Sequence, residues 1–285
     1  MKNKINELTP VYSISNLSIC LGVPVEVLLD ISDKSPKLYS PFKIPKVNGG
    51  FRKIDNPQPK LKAIQKKILK NILEQYTLPV QIMGGRKKYS IKDYLTLHIN
   101  KPEVVSLDIK KCFPSTGYKQ VFKVFRENYG YSRKNSSILT KLTTYRGYLP
   151  QGAPSSNMLL NIIITPAALE IASLCERSGC QVSFWVDDIT ISGESPHELI
   201  QQVIAILHKN GFAIGTSKTK IMKQSTRQEV LNHIVNRKIS VSKSKYSEYL
   251  HRYFGKISQD EISGILNYLE YINPKQARRL RKLVK

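Results

Sequence analysis

The chain has 285 residues, room for one large domain or two to three lobes, and its 41% apolar content suits a globular protein. Its 45 Lys and Arg outnumber 21 Asp and Glu to leave a net charge of +24 and a pI near 9.8, a self-repulsion that a polyanionic partner relieves. No apolar run is read as long enough to span a bilayer, no signal segment follows Met1, and the basic residues are spread along the chain, not gathered on one amphipathic helix. The expectation is a soluble cytoplasmic protein that binds nucleic acid and no membrane. Cys20, Cys112, Cys175 and Cys180 lack zinc-type spacing and are expected as free thiols.

In chain order, residues 13–32 predict one or two short helices broken at Gly22 and Pro24. Asn48-Gly49-Gly50 then predicts a hairpin turn between two strands. Lys46 and Arg52 flank that turn and could converge on one anionic ligand; a solvated basic hairpin is the plain alternative. Residues 59–76 have helical periodicity with a basic face that includes Lys62 and Lys66, either tracking a phosphate backbone or simply solvated. A glycine-plus-cation loop over 84–91 leads into a helix ending near His98, a histidine expected to be structural.

Val104-Val105-Ser106-Leu107-Asp108-Ile109 reads as a buried strand with one carboxylate near its end, followed by helical segments to about Tyr145. The turn-rich loop 147–157 opens into a long apolar helix that Ser155 or Ser156 can cap. Phe184-Trp185-Val186-Asp187-Asp188-Ile189-Thr190-Ile191-Ser192-Gly193 predicts a tight hairpin whose turn carries Asp187 and Asp188. Asp is common in polar turns, but adjacent carboxylates between apolar runs call for a cation, and oxygen ligands suit magnesium. With Asp108 as a third member, carboxylates on two neighbouring strands could hold two metal ions about 3.5–4 Å apart, the arrangement used for in-line phosphoryl transfer. A helix over 196–209, a strand and turn around 211–220, a short strand pair over 232–241 and helices complete the chain. The last helix is strongly basic, with Arg278, Arg279, Arg281 and Lys282.

Taken together, the basic hairpin, Asp108 with Phe113, Gln151-Gly152-x-Pro154, Asp187-Asp188, and Gly211-Phe212 with Lys218 resemble a bacterial reverse transcriptase of the retron and group II intron type. The resemblance runs from about Tyr39 to the C-terminus. It implies an α+β right-hand polymerase: N-terminal helices and fingers over 1–98, palm over 99–226 with a helical insertion at about 117–147, and thumb over 227–285. It implies Asp108, Asp187 and Asp188 as catalytic metal ligands for two Mg²⁺ ions, with Mn²⁺ as a substitute. Lys46 and Arg52 fall where the family contacts the incoming triphosphate, and Phe113 where an aromatic crowds the sugar 2′ position and favours dNTPs. Gln151 and Gly152 fall in the loop that shapes the nucleotide pocket, and Lys218 near the leaving pyrophosphate.

The implied partners are a structured non-coding RNA, its cDNA product, dNTPs and a separate effector protein of an antiphage defence system. A chain of this length leaves no room for a ribonuclease H domain beside three lobes. Lys62, Lys66 and the four basic residues of the last helix are expected to contact RNA. Several marks depart from the family: Trp185-Val186-Asp187-Asp188 stands where Tyr-Ala-Asp-Asp is usual, Ser156-Asn157 replaces Ser-Pro, and Tyr94-Leu95-Thr96-Leu97-His98 keeps only the His of Asn-Ala-x-x-His. In the thumb region, Val230-Leu231-Asn232 stands for Val-Thr-Gly. A non-retron defence or intron-like reverse transcriptase, an RNA polymerase of similar palm, and a non-catalytic RNA-binding scaffold are the competing readings.

Overall fold

The computed structural model describes residues 11–45, 49–215, 219–255 and 257–283, so Lys46, Asn48 and Lys218 lie outside the described residues. Helix α1 (Ile14–Leu21) ends at Gly22, which takes φ 57° and closes the helix through its N–H to Ile19 O. Pro24 then starts α2 (Val25–Lys34), so the break falls where the glycine and proline place it. β1 (Tyr39–Pro45) and β2 (Phe51–Pro57) form an antiparallel hairpin, with Gly49 and Gly50 at φ 83° and 76° supplying left-handed turn geometry. Helix α3 (Pro59–Asn71) buries Leu61, Ile64, Gln65 and Ile68, and its lysines take the other positions.

After α4 (Ile91–Thr96), closed by a Ser90–Asp93 capping box, comes β3 (Glu103–Asp108). The short α5 (Cys112–Ser115) and α6 (Tyr118–Lys123) follow, and α6 runs on into a π-helical turn over Val124–Asn128 before α7 (Arg133–Thr143). Helix α8 (Ser156–Arg177) is apolar and 22 residues long, enough by length and composition to cross a bilayer, which corrects the reading that no run is long enough. It is mostly buried within the fold, as a core helix is. The expected side-chain cap is absent: Ser156 Oγ donates to Pro150 O at 2.7 Å, and the buried Ser155 Oγ has no hydrogen-bond partner among the described residues.

Next come β4 (Gln181–Trp185), β5 (Asp188–Gly193), a 3₁₀ turn (Pro196–Leu199), α9 (Ile200–Lys209) and β6 (Lys220–Lys223). The expected strand pair near 232–241 is a small three-stranded sheet of β7 (Glu229–Val230), β8 (His233–Ile234) and β9 (Ser240–Val241). Helices α10 (Lys243–Phe254), α11 (Gln259–Ile272) and α12 (Pro274–Lys282) follow. All four cysteines are free.

Two compact units emerge. One comprises the residues up to Arg86, Ile109–Leu169 and Lys209–Phe212; the other comprises Lys87–Asp108, Glu170–His208 and Ala213 onward. In the first unit, α1, α2, α3 and α7 pack together. Gln65, fully buried among them, donates to Tyr39 Oη at 2.9 Å and to Leu142 O at 2.8 Å, tying β1 to the helices. The second unit is built on an antiparallel sheet of order β4-β5-β3-β6, whose central strands bury Val104, Val105, Leu107, Ile189 and Ile191 completely. Burying these five aliphatic side chains contributes on the order of 10 kcal/mol.

Candidate active site

The sheet of the second unit brings the three acidic residues to one end. Asp108 closes β3 and Asp188 opens β5, and the antiparallel register sets them directly opposite each other. Asp188 is also paired with Trp185 across the hairpin. It is therefore a strand residue, and the turn itself consists of Val186 and Asp187, a correction to the expectation that both acids sit in the turn. Val186 adopts φ 59°. A β-branched residue is strained in that region by about 1–3 kcal/mol, so the surrounding sheet must hold the turn in place. Gly215 lies against the same end: its N–H donates to Asp108 O at 2.8 Å, and an added Cβ would stand 3.4 Å from Asp108 Oδ2.

Beneath the acids, the hairpin rests on a buried polar layer that sequence reasoning missed. His98 is fully buried, with Nδ1 2.7 Å from Ser192 Oγ and Nε2 2.7 Å from Ser183 Oγ. One hydroxyl donates to the imidazole and the other accepts from it, so the neutral ring satisfies both strands at once. Burial drives the His98 pKa down to about 3, and the charge of Lys101 adds to the effect. Tyr94, also fully buried, lies 2.7 Å from Thr190 Oγ1 through its hydroxyl and packs edge-on against Trp185. Burial, with the Asp188 carboxylate as a lesser cause, keeps that phenol from ionising. The signal available in sequence was His98 itself; its partners are 94 and 85 residues away.

Carboxylate oxygens are the donors that hard divalent cations take, and Asp108, Asp187 and Asp188 are all half-buried at one sheet end. Two like charges at register partners repel unless a cation lies between them, so the pair fits a bound metal ion. Among the described residues, no three His, Cys, Asp or Glu side chains converge into a preformed ion cluster.

The expected nucleotide-binding residues that can be placed belong to the first unit. Arg52 is exposed on β2, opposite Ile44. Gln151 accepts at its backbone carbonyl from Asp55 N at 2.8 Å, and Gly152, at φ 120°, lies so close to β2 that a Cβ would stand 2.8 Å from Ile54 Cγ2. Only glycine fits there. The Asp55 carboxylate is bridged to Lys53 at 2.9 Å, and Lys53 Nζ donates to Tyr148 Oη at 3.2 Å. Hydrogen bonding to Asp55, then to Tyr148, raises the Lys53 pKa. Phe113 is buried in α5, the helix that Lys111 opens at φ 50°. Of the expected RNA contacts, Lys62 is half-buried and Lys66 exposed on α3; Arg278, Arg279, Arg281 and Lys282 are exposed on α12. Arg281 is paired with Glu270 at 3.0 Å.

Comparison with solved structures places this architecture among the right-hand polymerases. Telomerase from Candida albicans in complex with a TWJ fragment of telomeric RNA superposes with a TM-score of 0.53 at 13% identity, over 86% of this chain and 56% of that one. Residues 44–250 match the family described as reverse transcriptase (RNA-dependent DNA polymerase). The Retron Ec86 reverse transcriptase of Escherichia coli is 32% identical over 239 residues, covering 81% of this chain and 74% of the relative. The Retron Mx65 reverse transcriptase of Myxococcus xanthus is 26% identical, covering 93% and 69%. The chain belongs to the reverse transcriptase family, in its bacterial retron type, and is an RNA-directed DNA polymerase.

Proposed function

We propose that this chain copies a structured non-coding RNA into cDNA at the Asp108, Asp187 and Asp188 carboxylates, within a retron-type antiphage defence system whose effector is a separate protein. The observation that carries the chemistry is the register match of Asp108 with Asp188 beside the turn that holds Asp187. Two bound Mg²⁺ ions, replaceable by Mn²⁺, would supply acidification of the primer hydroxyl and neutralisation of the triphosphate. The primer oxygen forms a bond to the α-phosphorus as the bond to the β-phosphate oxygen breaks and pyrophosphate leaves. The carboxylates fix where positive charge is held, and the buried layer under the hairpin keeps them from moving as charge develops. Arg52 and Lys46 would bind the triphosphate, Lys218 would lie near the leaving pyrophosphate, and Gln151 and Gly152 would shape the pocket. Phe113 would exclude a 2′-hydroxyl. Fingers, palm and thumb over 1–98, 99–226 and 227–285 remain the functional division we infer.

Primer extension with dNTPs and Mg²⁺ tests this reading. Asp187→Asn or Asp188→Asn removes a ligand and also relieves repulsion in the metal-free protein, so synthesis should cease while the melting temperature holds or rises. Near-normal extension by both variants would sink the assignment. Sequencing the nucleic acid that co-purifies with the protein identifies the template.

A further inference from the structure

A groove in the first unit gathers chemistry that polymerisation at the carboxylates does not use. Residues of α6, the π turn and α7 line an open groove of about 670 Å³. Lys119, Lys123, Arg126 and Arg133 stand along it with Tyr118 and Phe122, and Glu127 is the one acid among its lining residues. The cations are exposed and the two rings half-buried. No ion pair among the described residues engages Lys119, Lys123 or Arg133.

The arrangement follows from spacing. Tyr118 and Phe122 are one helical turn apart, as are Lys119 and Lys123, so α6 carries a stripe of rings beside a stripe of cations. The rings lie within 16° of parallel, with centroids 6.3 Å apart. Tyr118 Oη lies 3.1 Å from Ser137 Oγ on α7, which fixes the ring's tilt. After Lys123 the π turn shifts the register, and Arg126 Nη1 donates to Tyr131 O at 2.7 Å while remaining exposed. Single π turns recur at functional sites.

We propose that this groove binds an unpaired stretch of RNA, with bases against Phe122 and Tyr118 and phosphates along Lys119, Lys123 and Arg133. Cations beside aromatic faces are the composition that single strands select. A stacked duplex has no use for the rings, and an acidic protein surface would use the cations alone. Glu127, which a phosphate avoids, offers an acceptor to a 2′-hydroxyl, the group that distinguishes RNA from DNA. The inference rests on the reading that RNA is the nucleic acid this chain engages.

Fluorescence-anisotropy titration of the full chain with a short unstructured RNA tests it, with melting curves confirming that each variant folds. Phe122→Ala should weaken binding about 5- to 150-fold with little change in salt dependence, while Phe122→Tyr, which keeps the ring, should bind as the parent does. Lys119→Ala with Lys123→Ala should flatten the log–log salt slope by about 0.7 per lost contact. DNA of the same sequence should bind more weakly than RNA, and Glu127→Ala should narrow that gap. Parental affinity in folded Phe122→Ala, equal affinity for duplex and single strand, or equal affinity for RNA and DNA would each overturn the proposal. So would an effect confined to the salt slope, the mark of a merely anionic partner. cDNA synthesis by the parent protein, measured in the same preparation, tests the RNA-template reading separately, so failure of one is not mistaken for failure of the other.

Discussion

The two long hairpins of this protein are built on opposite plans. In β1–β2, only Tyr39 of the first strand is buried, the outer half of β2 is exposed, and the turn uses glycines at no steric cost. In β4–β5, every residue after Asp188 on the second strand is buried, and the turn forces a valine to positive φ. A hairpin with few buried contacts opens at little free-energy cost, and a side chain such as Arg52 on it can follow a ligand. A hairpin locked on one face by His98 and Tyr94 opens only at the cost of those buried hydrogen bonds. The difference teaches where rigidity is spent: on the carboxylates and not on the cations.

Charge removal should separate the hairpins most. Asp188→Asn is expected to lower dNTP incorporation on the order of 10³-fold or more, whereas Arg52→Ala should raise the KM for dNTP about 10-fold. Arg52→Ala should leave the melting temperature unchanged, since the side chain is exposed. Comparable kcat losses in steady-state kinetics of the two variants would erase the contrast.

Removing the support should come next. His98→Ala strands the Ser183 and Ser192 hydroxyls and should destabilise the fold by about 3 kcal/mol, read by urea denaturation. The same residue sets a pH dependence. Its folded pKa, about 3, lies below the ordinary 6.5, so between those values the unfolded chain takes up a proton that the folded one refuses. Stability should therefore fall as pH drops from 6.5 towards 3, by about 1.4 kcal/mol per unit from this group. His98→Gln should remove that part of the slope; an unchanged slope would mean that other groups set it.

Smaller effects sharpen the contrast at its margins. Phe113→Val should raise the use of rNTP relative to dNTP about 10-fold, and because Phe113 is buried it should also cost stability. An unchanged nucleotide ratio would leave Phe113 as ordinary core. Replacing Arg278, Arg279, Arg281 and Lys282 by alanine should flatten the salt dependence of RNA binding by about 0.7–0.9 per lost phosphate contact. The pairing of Arg281 with Glu270 makes the other three the main contributors. An unaltered slope would make α12 a solvated surface.

What could be read from the sequence was whatever is encoded locally. The break at Gly22 and Pro24 and the glycine turn before Phe51 are each settled by residues a few positions apart, and each falls where expected. What escaped depends on distant partners. His98 is structural, but the serines that make it so belong to strands far along the chain. Composition does not show that Asp188 pairs with Trp185 as a strand residue, and the π turn after Lys123 has no residue signature. The expectation that no apolar run is long enough to cross a bilayer fails at α8, whose 22 residues pass that test by length and composition while most of them are buried in the fold.

The strand order β4-β5-β3-β6 bears on how the protein is made. β3 leaves the ribosome before either of its neighbours exists, because β5 and β6 are both encoded downstream. Until they emerge, Val104, Val105 and Leu107 belong to a β-prone strand with two open edges, a species that invites aggregation and needs shielding. A stalled or clipped nascent chain can carry Asp108, Phe113 and the Gln151-Gly152 loop and still have no place for Asp108 to act. The paired carboxylates therefore come together only late in synthesis, once β5 has emerged and docked on β3.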